Sequence, residues 1–142
     1  MKLEWTAFRQ SIDALDSAVF ELERIDADPA STVALRTVVR AGVIQNFEVV
    51  YEQAWKAMRR RLAQDEGAGT VDPLSRRELF RLAHRKGLVE AAEPWLVWHE
   101  ARNLTSHTYS GDTAISVAAQ APALARGARW LLDRLAGEPS VG

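Results

Sequence analysis

The chain has 142 residues, of which 47% are apolar and 26% charged, the length and balance of one globular domain that buries a core. Its lack of cysteine excludes disulfide frameworks, thiol nucleophiles and thiolate metal sites together. A net charge of −1 excludes a surface that attracts nucleic acid as a whole, so any such binding must rest on a local patch.

The first residues, Met1-Lys2-Leu3-Glu4-Trp5, lack the apolar run of a signal peptide, and no later stretch is long enough to span a bilayer. A cytoplasmic protein with no membrane partner is the expectation. Trp5, Phe8, Ile12, Leu15, Val19 and Leu22 step by three and four, which predicts a first helix from about Leu3 to Ile25. Asp26-Ala27-Asp28-Pro29 ends it. Ser31 or Thr32 then caps a second helix running to about Gln64, with Val39, Val43, Phe47, Val50, Ala54, Met58 and Leu62 on its buried face. Gly42 sits inside this helix at a cost of roughly 1 kcal/mol relative to alanine, and a close helix–helix approach is the expected reason.

Glu66 to Pro73 reads as a break. It has neither the third glycine of a dinucleotide fingerprint nor the Gly-Lys-Ser/Thr of a P-loop. Ser75-Arg76-Arg77-Glu78 is a capping box opening a short third helix that closes near Gly87. Pro94 suits the first turn of a fourth helix carrying Trp95, Leu96, Trp98, Ala101 and Leu104. Asp112 or Thr113 caps the last helix, with Ile115, Leu124, Ala128, Leu131 and Leu135 as its apolar positions, and Pro122 should kink or split it. With no alternating strand and no repeat, the fold class is all-α: an antiparallel, up-down four-helix bundle with one additional short helix.

Charge is unevenly spread along these elements. Residues 1–28 hold seven acids against three bases, whereas residues 56–86 hold nine Lys and Arg against four acids. Such a basic run is ordinarily a solvated helix face; the alternative is a patch facing phosphates or a partner. Lys56, Arg76 and Arg77 are its candidate substrate-binding residues.

The densest chemistry lies where the fourth helix ends, in Arg102-Asn103-Leu104-Thr105-Ser106-His107-Thr108-Tyr109. Arginine offers a planar fork of donors to phosphate oxygens, and histidine takes or gives a proton near neutrality. Together they are the minimum equipment for in-line attack on a phosphodiester. On a straight helix, however, His107 would lie roughly 140° around from Arg102, because each residue turns by 100°. The two converge on one phosphate only if the helix frays near Ser106 or a second subunit contributes. The bland alternative is a helix end with arginine ion-paired elsewhere.

Other chemistries fit less well. No two of His84, His99 and His107 are four apart, so there is no HExxH-type zinc site, and no metal or cofactor is expected. Glu48 and Glu52 share a helix face without the Glu-x-x-His pairs of a di-iron bundle, and read first as a solvated or ion-paired helix face. Ser106 and His107 have no orienting acid for a hydrolase triad.

Gly42 to Glu48, Tyr51 to Lys56, Ser75 to Glu78, Gly87-Leu88-Val89, Trp95 and Arg102 to Tyr109 resemble, in order and spacing, the nucleotidyltransferase substrate-binding protein family of the HEPN superfamily. The resemblance runs from about Phe8 to Leu135. Its most specific block fits the family's Arg-x4-His-x-Tyr signature with the usual asparagine after the arginine. Arg76, where many relatives have proline, and Pro122 depart from the pattern without touching that block.

The resemblance implies one helical domain over residues 1–137 with a short tail at 138–142, forming a homodimer or a higher oligomer. It implies a partner, a minimal nucleotidyltransferase encoded by an adjacent gene. Two activities follow from it. In one, the chain is a toxin-like, metal-independent ribonuclease whose composite site uses both protomers: His107 moves the proton, Arg102 binds the scissile RNA phosphate, Asn103 assists, and adenylylation of Tyr109 neutralises it. In the other, it is a non-catalytic subunit that binds substrate or nucleotide for the transferase.

Overall fold

The computed structural model describes residues 3–105 and 111–137. Seven helical segments follow one another there: α1 (Thr6–Asp26), α2 (Val33–Glu66), α3 (Ala68–Val71), α4 (Arg76–Arg85), α5 (Glu93–Thr105), α6 (Gly111–Ala119) and α7 (Ala121–Ala136). No strand occurs among the described residues, and the chain is an all-α bundle. No described helix is long and apolar enough to cross a membrane.

Each boundary has a local cause. The Thr32 hydroxyl accepts the Leu35 amide at 3.0 Å and starts α2. At α4 the capping box closes both ways: Ser75 Oγ accepts the Glu78 amide at 3.1 Å, and the Glu78 carboxylate accepts the Ser75 amide at 2.8 Å. The same helix ends in a Schellman turn. Gly87 takes φ +78°, the Gly87 and Leu88 amides donate back to the His84 and Ala83 carbonyls, and Leu88 is buried beside the turn.

The α2 helix, 34 residues and so about 51 Å long, is the pole of the bundle and touches every other segment. Val43, Phe47, Val50, Ala54, Met58 and Leu62 are buried along it as their spacing predicts. Phe8, Ile12 and Leu15 of α1 face the same core, each burial worth about 1.5–3 kcal/mol.

Several expectations are corrected. Gly42 does not mark a close approach, because a Cβ there would meet nothing within 4 Å among the described residues. That role falls to Gly127 of α7, where a Cβ would lie 2.8 Å from Trp98 Cη2. The break after α2 contains a single helical turn, α3, which buries Val71. Pro122 has the second of its two expected effects and splits the last helix: α6 stops at Ala119, and the proline occupies the first turn of α7, where no amide is needed. The first of these two helices begins at Gly111, ahead of both expected caps. Leu104 and Ile115 are 56% and 52% exposed, so the buried stripes continue instead through Thr105 and through Val117 and Ala118. Val39 is only half-buried, and the start of α2 leaves Val33 and Val38 exposed.

Candidate functional site

The apolar half of α5 sets the rotation of its polar half. Trp95 and Trp98 are buried with their rings edge-on at 4.8 Å between centroids, and Trp95 lies 6.0 Å from Phe80 of α4. Trp98 in turn rests on the bare backbone of Gly127. Ala101 and Thr105, three and seven residues after Trp98, continue that buried stripe. His99, Arg102 and Asn103 follow on the flanks, where α5 meets α2.

Arg102 is half-buried between two carboxylates of α2. Its NH1 lies 3.6 Å from Glu48 Oε2 and its Nε 3.5 Å from Glu52 Oε2. Both distances are ion-pair range but too long for hydrogen bonds, and the buried Nε makes no hydrogen bond among the described residues. Each acid also has a second contact, at the same oxygen of Glu48 and at the other oxygen of Glu52. The hydroxyl of Thr105 donates to Glu48 and Trp55 Nε1 donates to Glu52 at 3.1 Å, so both carboxylates that flank the guanidinium are held. Half-exposed pairs of this kind contribute about 0–1 kcal/mol, so their effect is orientation more than stability. The Glu48/Glu52 pair is therefore the ion-paired face that its spacing allowed. Among the described residues no three of His, Asp and Glu converge as a metal-ligand set.

Beside Arg102 runs a second polar chain that the spacing of the motif did not disclose. Tyr51 of α2, fully buried, has its hydroxyl 2.6 Å from His99 Nδ1 and accepts from Arg76 NH1 at 3.3 Å. His99 Nε2 lies 3.4 Å from the side-chain amide of Asn103, one turn further along α5. Burial pushes the Tyr51 phenol up to about 12, against the opposing pull of Arg76. Burial, and then the Arg76 charge, hold the His99 imidazole below its ordinary 6.5, which keeps it neutral. Two signals in the sequence point to this pair. Tyr51 follows Phe47 by four on a buried stripe, and a buried phenol needs a partner; His99 precedes Asn103 by four on one face.

The basic run is partly consumed in packing. The Arg76 guanidinium lies 3.5 Å from the centroid of Trp55, which Arg59 and Lys56 approach at 5.1 and 5.8 Å. Arg60 lies over Trp5 at 5.0 Å, Arg61 pairs with Asp65 at 2.9 Å and Lys86 with Glu66 at 3.0 Å. Of the three candidate substrate-binding residues, Arg76 is thus the half-buried link between Trp55 and Tyr51, while Lys56 and Arg77 are exposed. Arg102 and Asn103 stand in the last turn of α5; His107 and Tyr109 lie outside the described residues.

Comparison with known proteins places this geometry. Residues 4–136 match the model of the family described as nucleotidyltransferase substrate binding protein like. A Haemophilus influenzae protein named probable ribonuclease HepT is 31% identical over 134 residues, spanning 88% of this chain and 91% of its own. Among solved structures, a Haemophilus influenzae protein described as revealing the fold of a substrate binding domain of a nucleotidyltransferase superposes with a TM-score of 0.69 at 31% identity, over 88% of this chain and 98% of its own. A Thermus thermophilus protein follows with 0.61 at 30% identity, over 85% and 98%. With a family match over nearly its whole length, the chain belongs to the nucleotidyltransferase substrate-binding protein family.

Proposed function

We propose that this protein is the HEPN-type partner of a minimal nucleotidyltransferase and acts as a metal-independent ribonuclease. The observation that carries the reading is the last turn of α5, where Arg102 and Asn103 stand side by side with Arg102 braced by two fixed carboxylates, five residues before His107. In the reaction His107 takes the proton of an RNA 2′-hydroxyl as its oxygen attacks the adjacent phosphorus; the P–O5′ bond breaks, the 5′-oxygen of the next nucleotide leaves with a proton from water, and a 2′,3′-cyclic phosphate remains. Arg102 stabilises the charge on the phosphate and Asn103 assists. Lys56 and Arg77 extend a cationic track for the flanking phosphates, and Trp55 with Arg76 offers a stacked edge beside it.

A straight helix would set Arg102 and His107 on different faces, which favours a composite site to which a second copy contributes. Val97 and Leu104, seven apart on α5, are 53% and 56% exposed and form one apolar stripe next to the motif. We place the two-fold interface of a homodimer there. Tyr109 is the position for neutralisation: its hydroxyl attacks the α-phosphorus of ATP, pyrophosphate leaves, and the new phosphodiester pairs with Arg102.

Purified protein should cleave single-stranded or tRNA-like RNA in EDTA, and Arg102→Ala and His107→Ala should each abolish cleavage with the helical signal unchanged. Cleavage that survives His107→Ala removes the proton-transfer role. Co-expression with the transferase should add one AMP, confined to Tyr109 by mass spectrometry, and Tyr109→Phe should block it. The second reading, a non-catalytic subunit that binds substrate for the transferase, draws on the neutralised state of Arg102. Stable binding of nucleotide or transferase with Tyr109 unmodified and RNA intact would select it.

A further inference from the structure

Arg76 is held from three directions and open in a fourth. Its backbone is pinned as the first residue of α4, directly after the Ser75 cap. Its guanidinium carbon lies 3.5 Å from the centroid of the Trp55 indole. An edge-on guanidinium would drive a nitrogen well inside contact distance at that separation, so the group lies flat on the ring. NH1 donates to the Tyr51 oxygen at 3.3 Å, and Tyr51 precedes Trp55 by one turn of α2. The indole is itself fixed, because its Nε1 donates to Glu52 at 3.1 Å. Plane and rotation of the guanidinium are both set before any ligand arrives.

What remains is the side of the fork made by Nε and NH2. Neither has a hydrogen-bond acceptor among the described residues, no described acid pairs with Arg76, and neither is a buried donor left unsatisfied. Two parallel N–H groups therefore face solvent from a half-buried, immobilised side chain. Such a fork takes two adjacent acceptors: a phosphate, a carboxylate, or the O6/N7 edge of guanine. A phosphate presents oxygens in several directions and meets an arginine at many tilts, so a fixed plane adds little to its recognition. A carboxylate is planar but leaves the surrounding cations unanswered. Lys56 and Arg59 approach the same indole at 5.8 and 5.1 Å, and Arg77 stands exposed next to Arg76. That surround favours a polyanion. The guanine edge is planar and comes with a phosphate at every nucleotide. Adenine does not fit, because its N6 amino group would set a donor against a donor.

We infer that Arg76 is a specificity-determining residue: its free Nε/NH2 fork, laid flat on Trp55, reads the O6/N7 edge of a guanine next to the scissile phosphate of single-stranded RNA. The inference rests on the ribonuclease reading for where the cut falls, and on geometry for what the fork selects. The register follows from Glu52. Its Oε1 accepts from the Trp55 indole and its Oε2 lies 3.5 Å from Arg102 Nε, so one carboxylate separates the ring under Arg76 from the phosphate-binding arginine.

Cutting and binding test it separately. In single-stranded RNA of random sequence, the ends left by the wild-type chain should be enriched in guanine at one fixed position beside the cut. In an oligouridine with one guanosine at that position, 7-deazaguanosine, which lacks N7 and keeps O6, should lower kcat/KM about tenfold, and adenosine should lower it further. Arg76→Ala should lose the enrichment and cut the three oligonucleotides equally. Cuts without base enrichment, or a wild type indifferent to N7, overturn the proposal. A loss in Arg76→Ala that is uniform across sequences would make Arg76 a phosphate contact instead. The 7-deazaguanosine comparison uses the wild-type chain and so decides even where the variant loses its fold. By fluorescence anisotropy, the His107→Ala chain should bind the guanosine oligonucleotide about tenfold more tightly than its 7-deaza counterpart. Equal binding of the two overturns guanine recognition. Wild-type protein that leaves RNA intact while this binding preference holds defeats the ribonuclease reading and upholds guanine recognition by the fork.

Discussion

The two halves of α5 solve opposite problems on one helix. From Trp95 to Trp98 the helix is held by shape: two indoles, the Phe80 ring and the bare Gly127 backbone interlock. From His99 to Thr105 it is held by directed polar contacts to α2, with Glu48 and Tyr51 as anchors and Arg76 of α4 bonded to Tyr51. Shape fixes where a helix lies and how it is turned, with energies of several kcal/mol. Polar contacts add little net stability but decide which atom of each side chain points where. A site that must present a guanidinium and an amide needs the second kind, built at the end of the first.

The largest expected effect therefore comes from the apolar half. Trp95→Ala should cost about 3–5 kcal/mol by emptying the space between Phe80 and Trp98. A urea titration followed by circular dichroism would measure it, and a loss below about 1 kcal/mol would mean that the indoles do not set α5. Next comes Gly127→Ala, whose Cβ would sit 2.8 Å from Trp98 Cη2 and 3.0 Å from Cζ3; overpacking there should cost about 1–3 kcal/mol. Gly42→Ala is the matched control. With nothing within 4 Å of the new Cβ, it should stabilise by up to about 1 kcal/mol through helix propensity alone.

The polar half should lose less stability and more activity. Thr105→Val keeps the buried shape and deletes the hydroxyl that donates to Glu48. About 1 kcal/mol of stability should go with it. RNA cleavage should fall by more than that loss of stability explains, because Glu48 no longer has a fixed place from which to brace Arg102. Equal cleavage by Thr105→Val and wild type at matched folded fraction would show that the brace has no part in the chemistry.

How much of this is legible in the sequence follows the same division. Helix existence, the Thr32 and Ser75 caps and most of the α2 seam are readable because they depend on residues three to seven apart. So is the Arg102-Asn103 block, as a local run of chemistry-bearing residues. The network around it is not, since Tyr51 meets His99 across 48 residues, Arg76 meets Tyr51 across 25, and Thr105 meets Glu48 across 57. Periodicity ranks positions by face and says nothing of which helix covers that face. Leu104 is the example: an apolar residue at helical spacing reads as core, yet the buried position is the neighbouring Thr105, satisfied by its hydrogen bonds. Gly42 and Gly127 are the same lesson in backbone terms, because only the partner helix decides which glycine is needed.

The smallest effect is the sharpest test of the polar half, because it assigns a pH window to two named groups. His99 titrates below its ordinary 6.5 in the folded chain, so between those values the unfolded chain binds more protons. Its share of stability is then complete above pH 6.5 and is lost as pH falls through the lowered value. Tyr51 works at the other end. With its phenol pushed from 10 to about 12, the unfolded chain gives up that proton first, and stability is lost as pH rises from 10 towards 12. The urea midpoint should therefore be flat between about pH 7 and 9.5 and decline on both sides. The Glu78 carboxylate, held below its ordinary 4.5 by the Ser75 backbone and side chain, adds a separate acid loss that begins only as pH falls below 4.5. His99→Gln should remove the decline just below pH 6.5 and leave the Glu78 loss in place; Tyr51→Phe should remove the alkaline one. In the wild type, absorbance at 295 nm should show one of the two tyrosines ionising only near pH 12. An acid limb unchanged in His99→Gln would assign it to another group and separate the His99 imidazole from the stability of this helix end.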